Sequence, residues 1–490
     1  MTQPNEDKPR DQQWRKDLKK SMTAKERTLI ERVRMPEVEP SERIRSNVEV
    51  NQGISAEMAL VEAKRCLDCP DPQCIKGCPV NVDIPGFIKY VEAGDFIKAA
   101  ETIKKDNAFP SVCGRVCPQE TQCEARCMLA DKLNKEAVAI GYLERFVADY
   151  ARESENVSQP LKAESNGIKV AVIGSGPAGL AAAGDLAKMG YEVTVFEALH
   201  EFGGVLKYGI PEFRLPNTII DKEIETLKLM GVTFMKNIIA GRTISFDDLK
   251  NDGFRAFFIG SGAGLPNFMN IPGENFNGVL SSNEYLTRVN LMGAARKGFD
   301  TPVFMGKKVA VIGGGNTAMD SVRTAKRLGA EKAMIIYRRS FNEMPARKEE
   351  IRHAIEEGIE FLNLHTPVEY FADETGHVNR IKLQRMDLSE PDESGRRKPV
   401  PVPGSEYEIE ADMVIVSVGV SPNPLIPQSL PSLKVSRHGT ILVDDSHMLS
   451  SIDGMYAGGD IVRGGATVIL AMGDGRRAAQ GIHEYLSGKS

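Results

Sequence analysis

The chain has 490 residues, of which 41% are hydrophobic and 26% charged, and its formal net charge is −5. This length predicts about three domains at ~150 residues each, and the apolar fraction excludes a disordered chain. The negative net charge argues against nucleic acid as a main partner, since nucleic-acid-binding domains carry a basic footprint. No apolar run reaches the ~18 residues of a membrane-spanning helix, and no signal peptide is recognisable. We therefore expect a cytoplasmic, multidomain protein without a membrane partner.

The first 34 residues form a locally basic segment, with ten Lys and Arg against six Asp and Glu. A charge run of this kind is typical of a solvated segment. We predict a flexible arm over 1–34, and the alternative is an arm that docks onto a partner subunit.

All eight cysteines lie in two runs, C-x2-C-x4-C-x3-C-P and C-x3-C-P-x4-C-x3-C. The runs consist of Cys66, Cys69, Cys74 and Cys78, followed by Cys113, Cys117, Cys123 and Cys127. Disulfides are disfavoured because cytosolic thiols stay reduced, and zinc ribbons favour two C-x2-C pairs separated by a long spacer. Short runs with a Cys-Pro are typical of ferredoxin loops, whose thiolates hold [4Fe–4S] clusters. The pattern predicts iron–sulfur chemistry, with zinc and inert thiols as the alternatives.

Helical spacing of apolar residues predicts the fold around these cysteines. The segment between the two runs indicates two short helices with a break at Gly94 and Asp95, and a further helix follows over 136–151. No sheet is needed to explain the pattern. We predict an all-helical iron–sulfur domain over 1–165.

A complete βαβ pattern begins at Lys169, with the sequence KVAVIGSGPAGLAAAGDLAKMGYEVTVFEA. Its turn runs Gly174-Ser-Gly176-Pro177-Ala178-Gly179 and fits the fingerprint of dinucleotide-binding folds, in which glycines allow the tight turn and the close approach of a pyrophosphate. Glu197 ends the second strand, where an acid hydrogen-bonds a ribose 2′-hydroxyl. The pattern predicts a first dinucleotide-binding domain.

A second unit of the same type begins at Lys307, with Gly313, Gly315 and Ala318 in the three fingerprint positions. Its second strand ends in Arg338 and Arg339 instead of an acid. Two guanidinium groups can grip a 2′-phosphate through charge-assisted bonds. This unit therefore predicts an NADPH site, and the alternative is a solvated basic strand end.

A strand, the tripeptide Gly458-Gly459-Asp460 and a helix follow near the C-terminus. Asp460 suits a hydroxyl on the ribityl or phosphate side of a flavin, and the positive end of the helix at Thr467 suits the flavin pyrimidine ring. The alternative is an ordinary Asp turn.

With these motifs the chain resembles the small subunit of bacterial NADPH-dependent glutamate synthase and its relatives. The relatives are the large subunit of NADH-dependent reduced ferredoxin:NADP oxidoreductase and the N-terminal part of dihydropyrimidine dehydrogenase. The resemblance begins near Arg34 and rests on CLDC-x4-C-x3-CPVNVDIP, CGRVCP-x4-C-x3-C, VIGSGPAGL, GGVLKYGIPEFRLP, VIGGGNTAMD, YRRS-x2-EMPA and YAGGD.

The resemblance implies an α/β chain in which an all-helical iron–sulfur domain precedes two nested Rossmann-like domains. FAD would bind a discontinuous domain over 166–280 and 419–490, and NADPH an inserted domain over 281–418. The flavin site would add Gly203, Gly204, Gly459 and Asp460 to the first glycine turn and Glu197. The NADPH site would use Gly313, Gly315, Asn316, Thr317, Ala318, Arg338 and Arg339.

The resemblance also implies two [4Fe–4S] clusters with interleaved ligands. We expect Cys66, Cys69, Cys74 and Glu144 on one cluster. We expect Cys78, Cys117, Cys123 and Cys127 on the other, with Cys113 as a spare thiol. The alternative shares the eight cysteines between two all-thiolate clusters and leaves Glu144 in a helix salt bridge.

The implied reaction is hydride transfer from NADPH to flavin, followed by single-electron steps through the clusters to a partner subunit. It needs no side-chain acid, base or nucleophile, and we predict none of the seven histidines to be catalytic. The leading interpretation is a glutamate synthase small subunit. The alternatives are the ferredoxin-linked bifurcating subunit and a non-enzymatic redox scaffold. A disulfide reductase is excluded because no cysteine lies beyond Cys127.

Overall fold

The computed structural model describes residues 9–154, 162–391 and 397–488. These residues form a helical N-terminal domain and two α/β domains, each built on a five-stranded parallel sheet. Among them, no helix combines the length and the apolar character that crossing a membrane requires.

Within the described residues, ten α-helices and three short 3₁₀ helices build the N-terminal domain. Ser55, Asp83 and Asp95 start three of the helices, because each side chain accepts a hydrogen bond from the backbone N–H three residues later, at 3.2, 3.0 and 3.1 Å. The α-helices are α1 Gln13–Ser21, α2 Ala24–Arg27, α3 Pro40–Arg43, α4 Ala56–Lys64, α5 Gln73–Lys76, α6 Ile84–Glu92, α7 Phe96–Lys104, α8 Pro110–Val116, α9 Met128–Asp131 and α10 Ile140–Glu153. The 3₁₀ helices are Pro9–Asp11, Gln119–Thr121 and Glu124–Arg126.

The predicted flexible arm over 1–34 is wrong for the residues that the structure describes there. Residues 9–34 contain α1 and α2 and pack onto the domain. Arg15 and Arg27 are buried and pair with the carboxylates of Asp68 at 2.7 Å and Glu92 at 2.8 Å. Residues 1–8 lie outside the described residues. The basic composition gave a wrong prediction because these two arginines form ion pairs with buried carboxylates far along the chain.

The first α/β domain has a parallel sheet of spatial order β16-β4-β1-β2-β3. Its strands are β1 Lys169–Ile173, β2 Glu192–Phe196, β3 Thr233–Met235, β4 Phe254–Ile259 and β16 Met455–Ala457. β16 comes from the C-terminal segment and pairs in parallel with β4, with Met455 opposite Phe257. The chain therefore leaves this domain, builds the second one and returns.

The second α/β domain has a parallel sheet of spatial order β6-β14-β7-β8-β9. Its strands are β6 Val279–Ser281, β7 Lys308–Ile312, β8 Lys332–Tyr337, β9 Glu360–Asn363 and β14 Met413–Val416. The predicted boundary between residues 280 and 281 falls inside β6, so the second domain begins earlier. β5 Leu265–Pro266 and β15 Val420–Ser421 pair with each other where the chain passes between the domains.

An antiparallel sheet extends the second domain and is absent from our sequence-based prediction. Its strands are β10 His365–Ala372, β11 Val378–Pro391, β12 Arg397–Pro401 and β13 Tyr407–Glu410. β10, β12 and β13 all pair with β11. Buried and exposed residues alternate along β11, and its buried residues pack an apolar surface against one face of the parallel sheet.

Helices cover the two parallel sheets. α11 and the long α20 pack side by side against the first sheet in one apolar core. The α-helices are α11 Pro177–Lys188, α12 Val205–Tyr208, α13 Asn217–Leu229, α14 Phe246–Asn251, α15 Ser282–Leu286, α16 Asn316–Arg327, α17 Lys348–Glu356, α18 Leu425–Ser429, α19 Asp460–Arg463 and α20 Val468–Leu486. A π-helix, Thr287–Leu291, and a 3₁₀ helix, Phe341–Glu343, complete the set.

Candidate functional site

The first glycine turn forms a cradle between β1 and α11. Gly174 has φ +98°, and a Cβ there would lie 2.5 Å from the carbonyl oxygen of Gly260. A Cβ on Gly179 would lie 2.0 Å from the carbonyl oxygen of Gly174, so the helix needs glycine to pack against the turn. A Cβ on Gly176 would meet nothing within 4 Å. The turn is thus closed toward the protein and open at Gly176, the position that a pyrophosphate approaches.

Glu197 lies at the end of β2 and is 6% exposed. One carboxylate oxygen accepts hydrogen bonds from the backbone N–H and the hydroxyl of Ser175, at 2.9 and 2.5 Å. The other accepts from the backbone N–H of Leu199 at 2.9 Å. Glu197 therefore holds the glycine turn in place while it lines the cavity above it.

Gly203 and Gly204 bring a second loop against the glycine turn. Their φ angles are +120° and +54°, and a Cβ on Gly204 would lie 2.8 Å from the Cα of Gly176. The backbone N–H of Gly203 donates to the hydroxyl of Ser175 at 3.0 Å. Tyr208 follows on α12 and lines the cavity, where burial raises the pKa of its hydroxyl to about 12.

The C-terminal segment adds Gly459, Asp460 and Thr467 to the same cavity. Burial raises the pKa of Asp460 to about 6, although one of its oxygens accepts from the N–H of Ala466 at 3.0 Å. The hydroxyl of Thr467, at the start of α20, is buried without a hydrogen-bond partner. Buried polar atoms need partners, so this orphaned hydroxyl fits a polar edge of a bound ring.

The second glycine turn repeats the first between β7 and α16. Gly313 has φ +144°, and a Cβ there would lie 2.3 Å from the carbonyl oxygen of Ser417. A Cβ on Gly315 would meet nothing within 4 Å. Asn316 and Thr317 line the cavity and Ala318 is buried behind them. The side-chain oxygen of Asn316 accepts from the backbone N–H of Arg347 at 2.9 Å, which fixes the start of the helix.

Arg338 and Arg339 follow the end of β8 and line the cavity beside this turn. The Nε of Arg339 is buried without a hydrogen-bond partner. A guanidinium with an unused, buried donor atom fits an anionic group, because hydrogen bonds to charged groups are the strong ones. The pair therefore fits the 2′-phosphate that the sequence predicts.

Both glycine turns, Glu197, Asp460 and the arginine pair line a single cavity of about 1820 Å³. Sites for one drug-sized ligand measure roughly 300–1,000 Å³. The cavity is large enough for two dinucleotides, and it lies between the two α/β domains.

The eight thiols and Glu144 converge in two places in the N-terminal domain. Cluster site 1 is lined by Cys66, Cys69, Cys74 and Cys127. Cluster site 2 is lined by Cys78, Cys113, Cys117, Cys123 and Glu144. The cysteines form no disulfides, and four converging sulfurs are a ligand set for a [4Fe–4S] cluster.

The predicted division of the ligands is therefore wrong at two positions. Cys127 lies with Cys66, Cys69 and Cys74, because the turn before α9 brings it back to the first cysteine loop. Glu144 lies in cluster site 2, because α10 packs against α8, which carries Cys113. The interleaving of the two runs is present, but these two residues exchange places.

Burial dominates the acid–base behaviour of both cluster sites. It raises the pKa of Cys66 and of Cys78 to about 11 in each case. It also raises the pKa of Glu144 to about 8, against the lowering effect of a hydrogen bond from Asn107. Cluster ligands must be deprotonated, so insertion of iron releases protons from these sites.

α20 joins the cavity to cluster site 2. Its Thr467, Val468 and Ala471 line the cavity, whereas Ile469 lines cluster site 2. One turn further on, Met472 is fully buried with its sulfur 3.6 Å from that of Cys113. Cluster site 2 is thus the one next to the predicted flavin site.

Two supporting residues are absent from our sequence-based predictions. Asp474 is fully buried on α20, accepts from the N–H of Gly459 at 3.0 Å and pairs with Arg463 at 2.6 Å. Asn107 is fully buried beside Glu144. The nearness of Asp474 to the YAGGD motif is a clue for the first, but Asn107 is separated from Glu144 by 37 residues.

A helical domain with two groups of converging thiols, joined to two glycine-turn domains over one cavity, defines an iron–sulfur flavoprotein oxidoreductase of the pyridine-nucleotide type. Residues 43–156 match the family described as dihydropyrimidine dehydrogenase domain II, 4Fe-4S cluster. Residues 168–475 match the pyridine nucleotide-disulphide oxidoreductase family.

The chain is 37% identical over 464 residues to the glutamate synthase [NADPH] small chain of Azospirillum brasilense, covering 93% of this chain and 95% of that protein. It is 38% identical to the small chain of Escherichia coli strain K12, covering 90% and 94%. The chain belongs to the glutamate synthase small-chain family. A third relative, the NADP(+)-dependent formate dehydrogenase subunit beta of Moorella thermoacetica, is 39% identical over 84% of this chain and 60% of that protein.

FprA from Mycobacterium tuberculosis, solved in complex with NADPH, has a similar fold with a TM-score of 0.54 at 20% identity, covering 66% of this chain and 85% of FprA. Together these comparisons confirm the predicted resemblance, the fold class and the oxidoreductase class with FAD, NADPH and 4Fe-4S cofactors. The binding residues and the number of clusters stay predictions.

Proposed function

We propose that the chain is the electron-input subunit of a glutamate synthase, which oxidises NADPH at FAD and delivers electrons to a partner subunit. The partner would use them to make L-glutamate from 2-oxoglutarate and glutamine. The observation that carries the proposal is α20, which lines both the dinucleotide cavity and cluster site 2. Bound flavin accepts a hydride from NADPH and releases electrons one at a time, so it joins the two kinds of site.

The residues of the chain bind and orient the two dinucleotides. Arg338 and Arg339 would hold the 2′-phosphate of NADPH, and Gly315 would admit its pyrophosphate. Gly176 would do the same for FAD, and Thr467 with Asp460 would contact the flavin and its ribityl chain. The chain would promote the reaction by positioning the two dinucleotides and by its electrostatics, because hydride transfer needs no protein base.

The burial of the thiols supports a direction of electron flow. Three of the four cysteines of cluster site 2 are buried and Cys78 is partly exposed, whereas three of the four cysteines of cluster site 1 are partly exposed and Cys66 is buried. Cluster site 2 lies next to the predicted flavin site, and cluster site 1 lies nearer the surface. Electrons would therefore leave the chain from cluster site 1, and the partner subunit would dock there.

The extent of the similarity favours a glutamate synthase partner. The chain covers 94–96% of three glutamate synthase small chains but only 60% of the formate dehydrogenase subunit beta, which is longer. The ferredoxin-linked bifurcating subunit stays the second candidate.

Two measurements test the proposal. Anaerobically purified protein should reduce ferricyanide or a viologen dye with NADPH, which a non-enzymatic scaffold would not sustain. An anaerobic pull-down from the native cells, followed by mass spectrometry, should recover a much larger amidotransferase chain with an N-terminal cysteine. The recovered complex should oxidise NADPH only when both glutamine and 2-oxoglutarate are present. Recovery of a smaller flavoprotein with a ferredoxin-type cluster would instead identify the bifurcating enzyme.

A further inference from the structure

Cluster site 2 contains one more candidate ligand than a cluster needs. A [4Fe–4S] cluster takes four protein ligands, and this site is lined by Cys78, Cys113, Cys117, Cys123 and Glu144. Something in the structure must decide which residue is left out. The inference below rests on the proposed function, since it assumes that a cluster occupies this site.

Asn107 contacts two of the five candidates at once. It is 0% exposed. Its side-chain NH₂ donates to one carboxylate oxygen of Glu144 at 2.7 Å. Its side-chain oxygen lies 3.6 Å from the sulfur of Cys113, within reach of a hydrogen bond from the S–H group. The amide therefore lies between the carboxylate and the thiol.

The orientation of the Asn107 amide is fixed by the backbone. The N–H of Phe109 donates to the side-chain oxygen at 3.0 Å, and a backbone N–H can only donate. The oxygen must therefore face Phe109 and Cys113, and the NH₂ group must face Glu144. An inverted amide would place two donors against each other and lose both bonds.

This orientation has opposite effects on the two candidates. The NH₂ group holds one oxygen of Glu144 and leaves the other oxygen available to the cavity. The amide oxygen accepts a hydrogen bond from the S–H group of Cys113. The sulfur of Cys113 also lies 3.6 Å from the sulfur of Met472 on α20. The resemblance already implies Glu144 as a cluster ligand and Cys113 as a spare thiol. We propose that Asn107 is the positioning residue that enforces this choice at cluster site 2, where Cys78, Cys117 and Cys123 would supply the other three ligands.

Asn107→Asp tests this role, because it keeps the shape of the side chain but replaces the donor to Glu144 with a charged acceptor. The variant should exchange Glu144 for Cys113 at the cluster. We expect about eight iron atoms per chain, as for two [4Fe–4S] clusters, and a changed EPR spectrum for one of the reduced clusters. Adding Cys113→Ala to Asn107→Asp should lower the iron content to about four atoms.

Cys113→Ala alone is the matched control and removes only the thiol group from the core. It should retain the wild-type iron content and the wild-type EPR spectrum of both reduced clusters. Flavin content and far-UV circular dichroism show for every variant that the fold is intact. If Asn107→Asp fails to fold, Asn107→Ser with and without Cys113→Ala gives the same comparison.

Two results would overturn the inference. One is loss of iron or a changed EPR spectrum in Cys113→Ala alone, which would make Cys113 a ligand in the wild-type protein. The other is a folded Asn107 variant whose EPR spectrum and iron content are those of the wild type with and without Cys113→Ala. Wild-type protein that holds no cluster after anaerobic reconstitution would instead contradict the proposed function.

Discussion

At the scale of single residues, nucleotide selection depends on the two side chains that follow β8. Arg338 and Arg339 line the cavity in the place where the first domain has Glu197. A carboxylate there would repel a 2′-phosphate, whereas guanidinium groups attract it. The end of the second strand therefore distinguishes the two dinucleotides: it carries an acid in the first α/β domain and two arginines in the second.

Replacing Arg338 and Arg339 together with Ala should raise the KM for NADPH at least ~10-fold, since each hydrogen bond to a charged group contributes ~1.5–3 kcal/mol. The KM for NADH should change far less, because NADH has no 2′-phosphate. Steady-state dye reduction with both nucleotides measures the two constants. Arg380→Ala, an exposed arginine paired with Glu408 outside the cavity, is the control and should change neither. An equal rise for both nucleotides would contradict the assignment.

Two glycines of the first turn should respond differently to the same substitution. A Cβ on Gly176 meets open space, whereas a Cβ on Gly179 would lie 2.0 Å from the carbonyl oxygen of Gly174. Gly176→Ala should therefore fold with a near-normal melting temperature but bind FAD at least ~10-fold more weakly, which is a loss of ~1.4 kcal/mol. Gly179→Ala should lower the melting temperature itself.

Equilibrium dialysis with detection by flavin fluorescence measures the affinity for FAD. Thermal melting of the flavin-free protein measures the melting temperature. Wild-type affinity for FAD in Gly176→Ala would show that no pyrophosphate approaches this turn.

At the scale of elements, α1 and the segment before it cover the first cysteine loop. Arg15 is buried against Asp68, and Arg10 donates to the carbonyl oxygen of Cys69 at 2.7 Å. Asp68 lies between Cys66 and Cys69 in the sequence and is 2% exposed. This part of the chain therefore closes cluster site 1 and supplies the cation for its buried carboxylate.

Arg15→Ala should make cluster site 1 labile, because removal of one partner of a buried ion pair costs ~3–5 kcal/mol locally. We expect faster release of about half of the iron to a chelator such as bathophenanthroline, measured anaerobically by absorbance, with the other half released at the wild-type rate. Arg34→Ala is the control, since Arg34 and Glu136 form an exposed pair and such pairs contribute little. Uniform release of all the iron in Arg15→Ala would contradict a local effect.

The sequence predicts the glycine turns and the two α/β domains well, because a turn with positive φ constrains the residues at the turn itself. It predicts three helices of the N-terminal domain, α6, α7 and α10, from apolar spacing and from the break at Gly94 and Asp95. It could not divide the cluster ligands correctly, because the position of Cys127 depends on the direction of the turn before α9. It also missed α1 and α2, whose buried arginines have partners more than fifty residues away.

At the scale of the whole molecule, charged side chains connect the three domains. Arg214 of the first α/β domain pairs with Asp320 of the second at 2.7 Å. Arg347 of the second donates to the backbone of Arg115 and to the side chain of Gln119 in the N-terminal domain. The cavity and the cluster sites are therefore held in fixed relation by buried polar contacts.

Glu223 on α13 faces the N-terminal domain and should make stability depend on pH. Burial raises its pKa to about 7, against the lowering effects of Lys104 and Arg152. The folded protein thus holds a proton that the unfolded chain releases near pH 4.5. This contribution to stability is complete below about pH 4.5 and is lost as the pH rises through about 7.

Glu223→Gln keeps the neutral form at every pH and should therefore raise the melting temperature at pH 8 relative to the wild type. The gain should be ~1–2 kcal/mol, since the residue is only partly buried. Below about pH 4.5 the side chain is neutral in both proteins, so the two should melt together, and the difference should grow as the pH rises to about 7. Thermal melting from about pH 4 to pH 8.5 measures the difference, with exposed Glu225→Gln on the same helix as the control. A constant difference across this range would contradict the prediction.

The return of the chain to its first sheet has a consequence for biosynthesis. The four cysteines of cluster site 1 all precede position 130, and the lining of this site ends at Ile140, so its residues are complete while most of the protein is still being translated. Cluster site 2 and the flavin cradle are incomplete until Gly459 to Met472 have been made. A nascent or prematurely terminated chain consequently lacks the helix that joins the dinucleotide cavity to cluster site 2.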